Sequence, residues 1–384
     1  MLAVKLAYKN IIGAGLRTWL NVSVLSLAFV LIIFYNAMID GWNRQGRNDT
    51  QAWEIAEGQY WHPQYDKYDV YTLHEAHQPL GQALQAKALQ GKVVPQLIQQ
   101  ASIYPQGRVQ SVFLRGIPAT QTLLKLPTNA LQYKADETVV IIGRRMAKAT
   151  KLKVNDKVLL RWRDKNGTFD ARQITIGAVF KCDVAEADNG QFYIDYDEMQ
   201  SMMGLNNHAT LVVTGESKPV KLKNWNFLSA NELLKNLDDM INSERTAGMI
   251  MQLLLLLMAL LAIFDTQILS IFRRKKEIGT FIALGLTRKQ VVGMFTTEGA
   301  LHSVLAALLG ALYGIPLFLW INAIGINFGS ADMGLTIAET VYPYYSVKLV
   351  VATILIVLIS STIVSYLPAK KIAKMKPTDA LKGK

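Results

Sequence analysis

The stretch that decides the fold runs from Phe272 to Gln290 and reads FRRKKEIGTFIALGLTRKQ. It follows an apolar run, Thr246 to Ile271, that is long enough to cross a ~30 Å hydrocarbon core as a helix. The four consecutive basic residues that begin at Arg273 predict a cytoplasmic position, because short loops rich in Lys and Arg are retained on that side. EIGTFIALG then has the composition of a short helix that packs against another surface. A basic stop-transfer loop is the plainer interpretation.

Composition indicates membrane spans together with one sizeable soluble domain. The 384 residues are 51% hydrophobic, yet 18% of them are charged. The net charge of +12 would suit a nucleic-acid partner, but 15 of the 41 basic residues lie in the segments 1–18, 273–290 and 368–384. That distribution is the positive-inside bias of a membrane protein, so no nucleic-acid partner is expected. Cys182 is the single cysteine, which excludes an intramolecular disulfide.

Hydropathy and charge together predict four spans in the cytoplasmic (inner) membrane, with both termini inside. The predicted segments are a cytoplasmic amphipathic helix at 1–18, spans at 19–39, 246–272, 299–321 and 346–367, a cytoplasmic loop at 273–290, an outer loop at 322–346 and a cytoplasmic tail at 368–384. A signal peptide is the alternative for the first span. Its apolar core would be ~7 to 15 residues long and would end at a small-residue cleavage site, which YNAMIDGW lacks.

Residues 40–245 predict a soluble α+β domain inserted between the first two spans. Alternating apolar positions predict strands at 109–115, 158–163 and 174–180, with a hairpin turn at Asp164 to Gly167. Helical patterns occur at Thr138 to Thr150 and at Asp197 to Met203, and Ser229 to Glu232 forms a capping-box pattern. The fold class is therefore an α-helical membrane protein with four transmembrane helices and an α+β extracytoplasmic domain between helices 1 and 2.

Three segments resemble the FtsX-like permease family, the membrane subunits of MacB-type and lipoprotein-releasing ABC transporters. They are the loop from Arg273 to Gln290, the closing stretch from Tyr366 to Leu381, and Leu6 to Asn10 with the following Arg17-Thr18. Residues 139–158 also resemble the MacB-like extracytoplasmic domain. The resemblance implies a dimer with a second permease, identical or paralogous, that works with two ABC ATPase subunits. The ATPase-coupling residues would be Arg273, Arg274, Glu277, Ile278, Gly279, Ala283, Leu284 and Gly285.

The chain lacks the motifs of a nucleotide-binding or metal-dependent enzyme. No G-x-x-x-x-G-K-[ST] occurs, so ATP with Mg²⁺ is expected only on the partner ATPase, and no cofactor is expected on this chain. No metal is expected either, because His74 and His77 stand at i and i+3 rather than at the i and i+4 of H-E-x-x-H. Asp265 is the one acid well inside a span. It should face a groove or a dimer partner, or else reach the headgroups or stay protonated.

Release of lipoproteins from the inner membrane is the function that the resemblance favours, with movement of the outer domain (mechanotransmission) as the output. The substrate's acyl chains would leave the bilayer between the first two spans, with helix packing as the alternative role for the same residues. The cavity residues would be Leu27, Val30, Leu31, Phe34, Met251, Leu254, Leu255 and Met258. The bilayer, a lipoprotein and a periplasmic carrier would then be partners, although the family's carrier-docking subunit has a long hook where Asp164 to Gly167 closes a short hairpin. A MacB-like efflux permease and an FtsX-like regulator of a cell-wall hydrolase are the alternatives.

Overall fold

The computed structural model describes residues 16–132, 137–217, 220–328 and 340–373. The helices are α1 (Leu16–Thr50), α2 (Gln82–Leu89), α3 (Arg144–Thr150), α4 (Ala185–Asp188), α5 (Tyr196–Met203), α6 (Ala230–Leu233), α7 (Lys235–Arg273), α8 (Lys275–Ala283), α9 (Arg288–Ile324) and α10 (Val347–Ala373). In this part of the chain four helices, α1, α7, α9 and α10, are long and apolar enough to cross a membrane, as predicted.

The chain divides into two compact units. One consists of Met1–Trp42, Met240–Asn327 and Thr340–Lys384, and the other of Asn43–Asp239 and Phe328–Glu339. The first unit holds the apolar parts of the four long helices, and the second holds the sheet. Residues 1–15 of the predicted amphipathic helix lie outside the described residues. So do residues 329–339 of the predicted outer loop and the predicted tail from residue 374 onward.

The long helices extend beyond the apolar spans. α1 continues to Thr50 and passes into a π-helix at Gln51–Ile55, although the stretch after Ile39 is rich in the weak helix formers Gly, Asn and Asp. α9 begins at Arg288, so the last basic residues of the predicted loop form its first turn. α10 continues through Pro368 to Ala373, within the predicted tail.

Small residues let the helices of the first unit approach closely. A Cβ added at Gly314 of α9 would lie 3.0 Å from Val30 Cγ2 of α1, and one at Gly310 would lie 3.5 Å from it. Asn36 Nδ2 of α1 donates a hydrogen bond to Gln252 Oε1 of α7 at 3.0 Å. In an apolar bundle a hydrogen bond of this kind is worth about 1 kcal/mol. The buried apolar contacts are made by Val22, Leu25, Ala28, Phe29, Ala259, Leu260, Ile263, Ala306 and Val357.

The second unit is built on a nine-stranded sheet, most of which closes on itself. The strands of the chain are β1 (Gly58–Trp61), β2 (Gln78–Pro79), β3 (Val93–Ile103), β4 (Gln110–Ile117), β5 (Thr138–Gly143), β6 (Lys157–Arg163), β7 (Phe169–Phe180), β8 (Gln191–Asp195), β9 (His208–Ala209), β10 (Leu211–Thr214), β11 (Asn226–Ser229), β12 (Ile326–Asn327) and β13 (Thr340–Val341). The order is β11-β1-β10-β3-β4-β8-β5-β7-β6, and β3 also pairs with β6. Six strands from β3 to β6 thus close into a ring, from which β10, β1 and β11 extend.

Side-chain alternation places the core inside this ring. In β6 the side chains of Val158, Leu160 and Trp162 are buried while their neighbours are exposed, which is the pattern the sequence predicts. Trp162 Nε1 donates to the carbonyl oxygen of Met202 on α5 at 3.0 Å, so the one polar atom of this buried ring is satisfied. The predicted hairpin turn is confirmed as well: Asp164 N donates to Thr168 O at 2.9 Å.

One predicted helix is a strand over half of its length. Thr138–Gly143 forms β5, and α3 begins only at Arg144, so the helical prediction for 138–150 is wrong in its first half. The run Val-Val-Ile-Ile is β-branched and is buried between β7 and β8, where it packs better than in a helix. The helix predicted at Asp197 to Met203 is confirmed as α5, and the capping box of Ser229 and Glu232 is present at α6.

Candidate functional site

The basic loop between α7 and α9 folds as a short helix with a turn on each side. Arg274 separates the end of α7 from α8, and Gly285 follows α8 with a φ of +100°, a conformation that favours glycine. Thr287 then starts α9 with a capping box, since its backbone N donates to Gln290 Oε1 at 2.8 Å and its hydroxyl accepts from Gln290 N. α8 is therefore a separate element that is fixed at both ends.

Ile278 attaches α8 to the helices around it. Its side chain is 3% exposed and belongs to a buried cluster with Ile271, Val291, Met294, Phe295 and Ala369. Gly279, the next residue, is buried too. These two predicted coupling residues lie on the inner face of α8, where they hold the helix in place and have no surface open to a partner.

The other predicted coupling residues lie at the surface. Glu277, Ala283, Leu284 and Gly285 are exposed, and so is Arg273 at the end of α7. Leu284 is 76% exposed at the tip of the segment. The outer face of α8 thus presents one carboxylate and an apolar tip within an otherwise basic loop.

Arg274 lies between two carboxylates, of which the sequence analysis singled out only one. Its Nε donates to Glu277 Oε2 at 2.8 Å, and its Nη1 lies 3.6 Å from Glu298 Oε2 of α9. The guanidinium also lies over the Phe295 ring, 5.4 Å from the ring centroid. Glu298 and Phe295 are thus part of the site, and an acid in the run TTEGALHS is the signal that could have indicated the former.

The residues expected to line a substrate cavity divide into two groups. Val30 is 5% exposed and packs on the glycines of α9, so it belongs to the helix packing that was the alternative. Phe34 and Leu255 are half-buried. The exposed members are Leu27, Leu31, Met251, Leu254 and Met258. Apolar faces on α1 and α7 therefore remain open, but at other positions than Val30.

Asp265 is exposed on α7. It lies next to Thr266, whose hydroxyl accepts a hydrogen bond from Asn21 of α1. This exposure agrees with each of the roles that the sequence analysis considered for Asp265.

A pair of histidines lies in the second unit, at the β2 and β9 strands. His77 Nδ1 and His208 Nδ1 are 2.9 Å apart, a contact that sequence reasoning missed because 131 positions separate the two residues. Burial, and then the nearby His208, His62 and His74, lower the pKa of His77 to about 4. Among the described residues no group of three or more His, Cys, Asp or Glu side chains could hold a metal ion.

Comparison with known proteins gives matches to ABC transporter permeases. Residues 249–377 match the family model described as FtsX-like permease C-terminal. The chain is 24% identical over 161 residues to the uncharacterized ABC transporter permease MJ1507 of Methanocaldococcus jannaschii, an alignment that covers 42% of this chain and 38% of that protein. It is 22% identical over 310 residues to the lipoprotein-releasing system transmembrane protein LolC of Xylella fastidiosa, covering 72% of this chain and 74% of LolC.

A third relative is the macrolide export ATP-binding/permease protein MacB of Wolinella succinogenes. It is 26% identical over 126 residues, which is 33% of this chain and 17% of MacB. The family model covers α8, α9 and α10 together with most of the apolar part of α7, so the matched segment contains the exposed helix and the Arg274 contacts. Residues 249–377 of the chain therefore match the FtsX-like permease family over its C-terminal part.

Proposed function

We propose that this chain is the transmembrane permease subunit of an ABC transporter, and that a separate ATPase dimer binds the outer face of α8. The observation that carries the proposal is the two-sided character of α8. Ile278 fixes the helix to its unit from within, while Glu277 and Leu284 stay exposed. A surface helix that is fixed in this way transmits a displacement caused by a bound partner to the helices behind it, since a packed cluster does not deform continuously.

Topology and localisation follow from the same proposal. The chain is a multi-pass protein of the cytoplasmic membrane, with both termini and α8 on the cytoplasmic side and the second unit outside. The basic residues around α8 and in the closing segment support this orientation. A second permease, the same or a paralogue, completes the dimer.

Lipoprotein release is the output that we favour. The LolC relative aligns over 72% of this chain, whereas the MacB relative aligns over 33% of it. The exposed apolar residues of α1 and α7 would receive acyl chains, because each buried methylene contributes about 0.8 kcal/mol. Macrolide-type efflux is the second candidate, which the MacB relative supports.

The ATPase contact is tested by changing the apolar tip of α8. The tagged chain is purified from its native membranes, and the ABC ATPase that accompanies it is identified by mass spectrometry and by ATP hydrolysis. Leu284→Arg should prevent the ATPase from co-purifying with the chain, because a charged side chain replaces an apolar contact. The matched control is Leu89→Arg, the same change at a leucine of the second unit that is 91% exposed. Equal ATPase retention in both variants would contradict the proposal.

The cargo is tested by photo-crosslinking inside the membrane. A photoreactive residue at Leu254, which is 57% exposed, should capture a lipoprotein when the complex is trapped before ATP hydrolysis. The same probe at Val30, which packs on α9, should capture none. Capture of small efflux substrates at Leu254, with no lipoprotein, would favour the efflux candidate instead.

A further inference from the structure

α1 and α7 run in opposite directions along each other. Asn21 of α1 donates a hydrogen bond to Thr266 of α7, and Asn36 of α1 donates one to Gln252. Between these two pairs both helices contribute to one buried apolar cluster, α1 with Val22, Leu25, Ala28 and Phe29 and α7 with Ala259, Leu260 and Ile263. We call this part of the helix pair the apolar segment. Its side chains are close-packed, so the two helices cannot separate here without losing many contacts at once.

Two polar contacts join the same helices farther along. Asn36 Nδ2 donates to Gln252 Oε1 at 3.0 Å, and Arg245 Nη2 donates to Asp40 Oδ1 at 2.5 Å. The side chains of Arg245 and Asp40 are 40% and 30% exposed, so water reaches this ion pair. We call the part of the helix pair that holds these two contacts the polar segment.

The polar segment is the weaker of the two segments. Asp40 directly follows the apolar run that ends at Ile39, and Arg245 directly precedes the one that begins at Thr246. An ion pair with this exposure contributes little, because water competes for both charges. A hydrogen bond between two side-chain amides in a membrane bundle is also modest, because the separated groups find other partners. The helices therefore part more readily at the polar segment than at the apolar segment.

α1 is also held by the α9–α10 part of its unit. Val30 packs on the glycines of α9, and the backbone N of Tyr344, which precedes α10, donates to Ala37 O at 2.8 Å. A Cβ added at Gly41 would lie 2.1 Å from Tyr342 O, so α1 touches this connection closely. The residues of α7 near the polar segment are exposed instead, namely Met249, Ile250, Met251, Leu253 and Leu254. If the polar segment opens, α7 is therefore the helix that moves.

We infer that α7 swings away from α1 at the polar segment, with the apolar segment as the pivot, and that the opening is the entrance for lipid acyl chains. The inference rests on the proposed function, whose acyl-chain site it gives an entrance and a closure. Asn36, Asp40, Arg245 and Gln252 are then positioning residues that hold the entrance closed. No covalent bond changes, since each side chain exchanges its partner on the other helix for water or a lipid headgroup.

The movement is tested by distances between nitroxide labels in the complex of the full chain with its ATPase in lipid nanodiscs. One pair is placed at Leu31 of α1 and Met249 of α7, and a control pair at Val24 and Leu261, all of which are exposed. Met249 lies about 16 Å from Leu260 along α7, so a tilt of about 20° displaces it by roughly 5 Å. A non-hydrolysable ATP analogue should lengthen the first distance by this amount and leave the control distance unchanged. An unchanged first distance in a complex that holds the ATPase would overturn the inference.

Variants of the polar segment test the closure without any ATPase. Gln252→Met combined with Asp40→Asn removes both polar contacts at nearly constant volume, so the Leu31–Met249 distance should lengthen in the chain alone. The matched control is Thr266→Val, which removes the polar contact on the other side of the pivot and should leave that distance unchanged. Equal distances in the double variant and the wild type would overturn the inference.

The entrance itself is tested by locking it. A thiol crosslinker that joins Asn36→Cys to Gln252→Cys should abolish lipoprotein capture by the photoreactive residue at Leu254, whereas the same crosslinker between Val24→Cys and Leu261→Cys should not. Undiminished capture in the first locked complex would overturn the inference. A chain without crosslinker that retains no ATPase, or that captures no lipoprotein at Leu254, would instead refute the proposed function, so the two failures are distinguished.

Discussion

His77 is the residue at which the second unit should respond to pH. Its pKa is lowered to about 4 in the folded chain, because burial and the neighbouring His208, His62 and His74 oppose a positive charge. Burial, and then the nearby Lys165, also lower the pKa of His208. An unfolded histidine titrates near pH 6.5, so the unfolded state binds an additional proton between about pH 4 and 6.5.

Stability should therefore be fully present above about pH 6.5 and should fall as the pH drops toward 4. Because His77 is only partly buried, we expect a loss of about 1 to 2 kcal/mol after allowance for solvent screening. Amide hydrogen exchange at Ala209 of β9, recorded in the full chain, measures this loss of stability. His77→Gln should flatten the pH dependence, and His74→Gln, which keeps the Nδ1 pair, should not. An equally steep dependence in His77→Gln would refute the assignment.

At the scale of the element, the glycines of α9 set how closely it packs on α1. A side chain at Gly314 would meet Val30, whereas one at Gly293 of the same helix would meet nothing within 4 Å. We expect Gly314→Leu to lower the stability of the first unit by about 1 to 3 kcal/mol, the usual cost of overpacking. Gly293→Leu is the control and should be neutral or slightly stabilising, since leucine is the better helix former. Thermal unfolding in detergent compares the two, and equal melting temperatures would exclude this contact.

At the scale of the whole molecule, the proposed orientation can be read from cysteine reactivity in intact cells. The native Cys182 is buried, and burial raises the pKa of its thiol to about 12, so it gives little background labelling. Lys165 on the hairpin and Lys276 on α8 are both exposed. An impermeant maleimide should label Lys165→Cys in intact cells and Lys276→Cys only after lysis. The reverse pattern would invert the proposed topology.

Sequence reasoning succeeded where one physical pattern dominated and failed where tertiary packing decided. The four apolar helices and the hairpin at Asp164 follow from hydropathy and from turn chemistry. β5 was mistaken for a helix because a short apolar run has no clear hydrophobic periodicity. Its pairing with β7 and β8 determines that it is a strand. Likewise Val30 and Gly279 could not be assigned to a buried or an open face from composition. The Glu298 contact of Arg274 was missed because the sequence shows an acid in the run TTEGALHS but does not show which residue pairs with it.

The neighbouring positions of β1 and β11 determine how the sheet would respond to tension. The first strand after α1 and the last strand before α7 are adjacent and antiparallel, with Gly58 opposite Ser229. A force that pulls these two chain ends apart would break the hydrogen bonds between β1 and β11 one after another, starting at Gly58 and Ser229. Arg47 precedes β1, and its Nη1 lies 2.5 Å from Oδ2 of Asp238, which follows β11. Its Nη2 donates a hydrogen bond to Asn231 Oδ1 at 2.7 Å. Under such traction we expect these contacts of Arg47 to break before the strands from β3 to β6 lose their pairing, because Arg47 and Asp238 lie nearer to the pulled chain ends than those strands do.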